Sequence, residues 1–335
     1  MNKTTSDSYL KKPAGLFVNT ASSYRWLIRA LIRAVSVIIC VMVAVFFIIR
    51  IVPGDPVKMI LGEYATPEAI TSMHHNLGLD LPLWDQFMRF LKNIILHQDT
   101  GISIIYGTSV KSLIAASAPV TILLIIMAML IAILLALVLA VLAATHKDGI
   151  LDHMIRILPS ITLGMPVFWV GLLFILFFSV RLGWFPVGGV GKGLKGTLYS
   201  LTLPAITVAF SQIPTLVRSL RAQMLEVLGS DFVVTLKSAG IPNRTILFRH
   251  VLRNSALPTL MLLGVNISYL IGGTLVVEQV FGIKGIGSLL FTAIANRDFP
   301  VIQGVALYCA IAVVIISFLI EVASRALDPR TKGEV

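Results

Sequence analysis

Six runs of apolar residues, most of them close to the length that carries an α-helix across a bilayer, set the terms for this chain. A helix rises about 1.5 Å per residue, so about 20 apolar residues cross a hydrocarbon core of about 30 Å. The runs have their cores at Ala34–Ile49, Pro119–Ala144, Ile157–Val180, Leu201–Val217, Leu257–Val277 and Val301–Ile320. Composition closes the soluble alternative. Hydrophobic residues are 57% of the 335 and charged residues only 13%, too little polar surface to coat a body of this size. The surplus must face lipid. The first run is short, like the apolar part of a secretory leader. Arg50 and the residues to Pro56 follow it in place of a small-x-small cleavage site, so an uncleaved anchor is expected.

The expected fold is an all-α integral membrane protein with six transmembrane helices, a small helical outer domain and a structured cytoplasmic loop. With both termini in the cytoplasm, Lys and Arg of the inner segments outnumber those of the outer ones, the asymmetry that sets orientation. The net charge of +11 is then a topology signal rather than a nucleic-acid footprint, which would gather on one face or arm. Cys40 and Cys309 sit in separate runs and read as small, buried apolar residues, not as a disulfide framework.

The chain divides into a mobile cytoplasmic tail at 1–24, a first span at 25–50, an outer domain at 51–117, a core of five further spans at 118–324, and a second cytoplasmic tail at 325–335. In the outer domain Thr66 is placed to cap a helix begun by Pro67 and Glu68, and Pro82–Leu96 has apolar residues at helical spacing. The inner loop 218–257 is too long for a mere connection. Asp231 reads as an N-cap, and Phe232–Ser238 as a short helix with Phe232, Leu236 and Ala239 near one face. Gly240 stands where that helix would stop, since glycine tolerates the left-handed conformation. Pro242 can open a second helix, which enters the membrane past Arg249, His250, Arg253 and Asn254. A bent helical element on the inner face could seat in a groove of a soluble partner.

This segment resembles the EAA loop of ABC-importer permeases, in which E-A-A is followed after three residues by glycine. The wider chain is similar to the dipeptide/oligopeptide/nickel permease family, specifically the subunit with the long first outer loop. The ordered blocks are Ile51-Val52-Pro53-Gly54-Asp55-Pro56, Leu77-Gly78-Leu79-Asp80, Gly101 and Ser103, Pro166-Val167-Phe168-Trp169 and Trp184-Phe185-Pro186. Then come Glu226-Val227-Leu228, Asp231-Phe232, Arg253-Asn254, Glu278, Phe281, Gly285, Gly287, Arg297-Asp298, Gln303-Gly304 and Asp328-Pro329-Arg330. Together they cover roughly Arg25 to Lys332. The resemblance implies a bacterial inner-membrane permease, working with a second homologous permease, two ATPase subunits and an extracytoplasmic solute-binding protein. ATP would be bound by the partners, with no cofactor on this chain and no enzymatic activity. Peptides are the first substrate class implied, ahead of nickel chelates, glutathione-like compounds and sugars. It also implies that Asp231, Phe232, Thr235, Leu236, Lys237, Ala239, Gly240 and Arg244 contact the ATPase. One departure is plain: Val234, Thr235 and Leu236 occupy the E-A-A positions, so the glutamate is missing. The contact must rest on shape and apolar packing, with Asp231, Lys237 or Arg244 as polar contributors.

Other features were weighed. Thr207, Ser211 and Thr215 are spaced i, i+4, i+8 with Gln212 beside them, a polar stripe that could line a pore or bond between helices. Asn266 and Tyr269 share a face of the fifth run. Glu278, at the outer end of that run, could serve an outer gate or touch the binding protein; otherwise it is a solvated helix end. The rival reading is a self-sufficient secondary transporter or channel; no acid or base lies near the centre of a run, which argues against its proton-coupled form. A purely structural subunit would not need the polar stripe. Gly191 to Thr197 and Gly282 to Ser288 imitate a phosphate loop but lack its Lys-Ser/Thr pair, so they are read as turns. His74, His75 and His97 lack the partners of a metal set and are read as surface residues.

Overall fold

The computed structural model describes residues 20–51, 57, 61–62, 65–97 and 100–327. Residues 1–19 of the predicted N-terminal tail, Val52-Pro53-Gly54-Asp55-Pro56 and Asp328-Pro329-Arg330 lie outside the described residues, as does the side chain of Tyr269. Within the described residues the chain is helical apart from one β-bridge between Ile102 and Ser109. In order, α1 is Thr20–Ile51, α2 Pro67–Leu77, α3 Leu83–His97, α4 Val110–Thr145, α5 Ile150–Leu163 and α6 Val167–Phe174, which widens into a π-helical extension Ile175–Arg181. There follow α7 Gly193–Leu228, α8 Asp231–Ser238, a single turn α9 Asn243–Thr245, a π-helical stretch Ile246–Val251, α10 Leu252–Val280, α11 Ile286–Ala295 and α12 Phe299–Leu327.

Among the described residues, stretches of α1, α4, α7 and α12 are long and apolar enough to cross a membrane, at Ile28–Ile48, Val110–Thr145, Gly193–Leu228 and Phe299–Val322. The chain is thus an all-α, multi-span membrane protein. The body is built on α4 and α7. Ala132, Ala136 and Ala143 of α4 meet Ala209, Ile213, Leu216 and Val217 of α7; small side chains let the two backbones approach where dispersion, not the hydrophobic effect, must hold helices together. Towards the outer end Leu124 and Ala128 join Leu201, Leu203 and Val208 of α7 and Leu270, Val277 and Phe281 from α10 and its end. α1 stands to one side, packed on α12 and largely uncovered. Its outer end holds α3: the Phe46 ring lies 5.1 Å from Phe87 and 5.7 Å from Phe90. The Arg50 guanidinium stacks 3.4 Å over Phe46 and donates twice to Gln86 Oε1, at 3.1 and 3.0 Å.

Local structure departs from the sequence reading in four places. The run Ile157–Val180 is not one helix but breaks at Gly164–Pro166. Pro166 has no N–H to give the preceding turn and its ring disfavours helix at Met165. The helix carrying the run from Pro119 begins at Val110, because a proline at its tenth position is tolerated by a long apolar helix. α7 continues through Arg218 to Leu228, so the first part of the expected loop is helical. Cys40 is exposed on α1 while Cys309 is half-buried, since α1 has few neighbours to bury it. The Thr66 cap is as expected, its hydroxyl accepting from the Ala69 N–H at 3.3 Å.

Candidate functional site

At one end of the bundle, the one expected to face the cytoplasm, the chain turns at α8. Ser230, not Asp231, occupies the N-cap position, and Asp231 lies in the first turn, where a carboxylate complements the helix dipole. The helix ends as the sequence predicts. Gly240 has φ +77°, its N–H donates to Lys237 O at 3.0 Å, and the Ile241 N–H donates to Leu236 O at 3.1 Å. These two bonds are a Schellman ending, which satisfies carbonyls that the helix leaves unpaired. Pro242 then precedes α9, and the helical path resumes toward α10.

Val233 anchors α8. It is buried against Leu220 and Met224 of α7, Ala140 and Ala144 of α4, and Ile246 and Val251 of the π stretch, with Leu236 and Ile241 packed alongside. The expected apolar face through Phe232, Leu236 and Ala239 is split accordingly: Leu236 is half-buried, whereas Phe232 and Ala239 are exposed. Asp231, Thr235, Lys237, Gly240 and Arg244 are exposed too. Phe232 shows 41% of its surface, Val234 58% and Phe248 52%; Phe232 and Val234, two residues apart, lie on either side of the buried Val233. Phe248 had no distinguishing sequence signal, and the exposure of Val234 follows from Val233 taking the inward position beside it.

The polar stripe on α7 does not stay together. Thr207 is buried, 1% exposed, and its hydroxyl donates to Leu203 O at 2.9 Å, with its methyl facing Gly171 of α6. It packs between helices and presents nothing to an open path. Ser211, Gln212 and Thr215 are half-buried. Gln212 Nε2 donates to Ser211 Oγ at 3.1 Å, and Ser211 Oγ to Val208 O at 2.8 Å. On α10, Asn266 keeps a buried Nδ2 with no hydrogen-bond partner among the described residues.

Glu278 is not a solvated helix end and cannot touch a docking protein: it is fully buried. Its carboxylate accepts from the Thr121 hydroxyl of α4 at 2.5 Å and from the backbone N–H of Gly287 at 2.7 Å and Ser288 at 3.3 Å. Thr121 Oγ1 accepts in turn from the Ile286 N–H at 2.9 Å. Glu278 and Thr121 together cap the first turn of α11, where unpaired N–H groups and the dipole favour an anion. The glycine-rich turn before α11 is thus already filled by a carboxylate. The other imitation of a phosphate loop closes on itself, with Gly191 N–H donating to Ser200 Oγ at 3.0 Å and Thr197 Oγ1 to Gly191 O at 3.1 Å. In the outer segment His75 Nδ1 lies 2.8 Å from Asp80 Oδ2, and this hydrogen bond holds the Asp80 carboxyl below its usual range.

One buried carboxylate went unnoticed in the sequence. Asp152, in the first turn of α5, is fully buried and takes both arms of Arg221 of α7: Nε to Oδ1 at 2.6 Å and Nη2 to Oδ2 at 2.6 Å. The Asp148 N–H adds a bond to Oδ2 at 3.0 Å. Arg221's hydrogen bonds, followed by the Asp148 N–H, hold this carboxyl down to about 2 against the opposing effect of burial.

A family model described as the binding-protein-dependent transport system inner membrane component matches residues 132–333, and one for the N-terminal part of such membrane components matches residues 23–125. Over 309 residues the chain is 36% identical to a putative peptide transport system permease protein of Brucella abortus (strain 2308), covering 91% of this chain and 98% of the relative. It is 32% identical over 311 residues to an oligopeptide transport system permease protein of Bacillus subtilis (strain 168), covering 91% and 98%. With a glutathione transport system permease protein of Pectobacterium atrosepticum it shares 33% identity over 304 residues, covering 91% and 97%.

Proposed function

The chain belongs to the family of binding-protein-dependent transport system inner membrane components, and from that premise we infer that it forms half of the translocation path of an ABC importer for peptides or similar small solutes. It is a permease and not an enzyme. The reading is carried by the elbow: a short helix fixed from behind by Val233, ended by the left-handed Gly240, and open to the cytoplasm through Phe232, Val234 and Phe248.

In this reading the chain crosses the inner membrane six times with both termini in the cytoplasm, residues 25–50 making the first span, the segment from 51 an outer domain, and 118–324 the core. A second permease completes the path, two ATPases sit beneath, and a binding protein delivers solute from outside. The ATPases bind ATP; this chain receives their movement. Phe232 and Val234 fill an apolar groove on the ATPase, with Asp231, Thr235, Lys237, Ala239, Gly240 and Arg244 around them and Leu236 bracing the helix. Apolar burial supplies affinity without a glutamate at position 234, and the charged rim supplies register. Closure of the ATPases then shifts a two-state equilibrium between inward- and outward-facing forms. Ser211, Gln212, Thr215 and Asn266, with Tyr269 on the same element, line the path, where hydrogen-bonding groups can replace water around peptide amides. The peptide class rests on the relatives, which are peptide, oligopeptide and glutathione transport permeases.

Purification in mild detergent, with mass measurement of what accompanies the chain, tests the assembly: two ATPases and a second permease are expected. Reconstituted with them and the binding protein, the vesicles should accumulate tritiated trialanine only when supplied with ATP. Uptake by vesicles holding this chain alone would overturn the reading.

A further inference from the structure

We propose that Asp152 and Arg221 are positioning residues that lock α5 to the inner end of α7, so that movement of the elbow is handed to α5 and on to α6 as well as along α7. This deepens the coupling role given to α8 and rests on it.

The geometry points to transmission because of where the pair sits. Arg221 lies beside Leu220 and one turn before Met224, the two α7 residues that hold Val233. A push on α8 therefore enters α7 at the turn that carries the guanidinium. On the other side Asp152 opens α5, which leads through the break at Gly164–Pro166 into α6, and α6 packs on α7 and α10. Among the described side chains, Ile155 of α5 packs with Ile213, Leu216 and Val217 of α7. Such packing is non-directional and lets helices slide. Two parallel N–H···O bonds at 2.6 Å do not: a bidentate arginine fixes both distance and angle. The anchor is itself held, because Asp148 takes the left-handed conformation (φ 62°) and aims its N–H at the same carboxylate. Burying a carboxylate costs more than an apolar pair would, a poor choice for stability alone but a good one for keeping two helices in one register. Arg156, 3.9 Å away and 44% exposed, is a bystander by the same measure.

The test uses the complete transporter in vesicles, with trialanine uptake and ATP hydrolysis measured together. Asp152→Asn and Arg221→Gln should each leave ATPases bound and hydrolysing but lower trialanine moved per ATP about tenfold, the size of an ordinary coupling energy. The double variant should be no worse than either single one, since both remove the same tie. Arg156→Gln should keep the wild-type ratio. An unchanged ratio in Asp152→Asn, even with a lower thermal midpoint, makes the pair merely structural and overturns the proposal, as does a double variant whose losses multiply. Gly240→Val runs alongside: if it too keeps the wild-type ratio, the coupling role of α8 has failed; if it uncouples while Asp152→Asn does not, only the tie has failed.

Discussion

Glu278 shows how much a single side chain organises at the outer end of the bundle. It accepts three hydrogen bonds, from α4 and from the start of α11, and the backbone comes so close that a Cβ at Gly285 would overlap its carboxylate. Glu278→Gln leaves one acceptor where there were two and turns an NH2 group toward donors. It should lower stability by about 2 kcal/mol, read as a lower thermal midpoint of the purified complex. Gly285→Ala should cost about 1–3 kcal/mol by overpacking, with the same readout. The sequence displayed Glu278, Gly285 and Gly287 as separate marks but not their contact, because the N–H groups that claim the carboxylate come from a helix beyond the turn. Thr207 could not be assigned between its two sequence readings for a related reason. Helical spacing tells which residues share a face, but the face of α7 is covered at Thr207 by α6.

At the scale of the element, the elbow was the most legible part. Its ending depends on local chemistry, a glycine after an eight-residue helix and a proline after that, and local chemistry is what a sequence carries. Gly240→Val puts a β-branched residue at φ +77°, a conformation costing about 1–2 kcal/mol for such residues. It should uncouple ATP hydrolysis from uptake, seen as ATPase activity retained while trialanine accumulation falls. What stayed hidden was which way α8 faces, since Phe232, Val233 and Val234 are all apolar and only the hollow between α4 and α7 selects Val233. The α5–α7 tie makes a pH prediction. Asp152 is depressed to about 2 from an unfolded value of about 4. Its contribution is therefore complete above about pH 4 and disappears as pH falls through about 2. Uptake per ATP should be flat between about pH 5 and 8 as far as this pair is concerned; a step in that window abolished by Asp152→Asn would contradict the assignment.

For the whole molecule, the long apolar runs announced a multi-span helical protein, because nothing but a helix satisfies its own backbone in hydrocarbon. How the spans pack was not legible: the α4–α7 seam rests on Ala132, Ala136 and Ala143, which stand among many other alanines in the same long apolar run. The outer segment is joined to the body through Phe46 of α1, which touches Phe87 and Phe90. Phe46→Ala should cost about 3–4 kcal/mol and loosen α3, seen as faster cleavage of the outer segment by protease added from outside.

The interruption at Gly164–Pro166 has a bearing on how the protein sits among its neighbours. Oil offers no hydrogen bonds to peptide groups that a kinked stretch leaves over, so such a stretch is tolerated only against other polypeptide or a wet crevice. Gly164 and Pro166 are uncovered in the isolated chain. In the assembled transporter that flank is therefore expected to lie against another subunit or a wet crevice rather than against lipid tails.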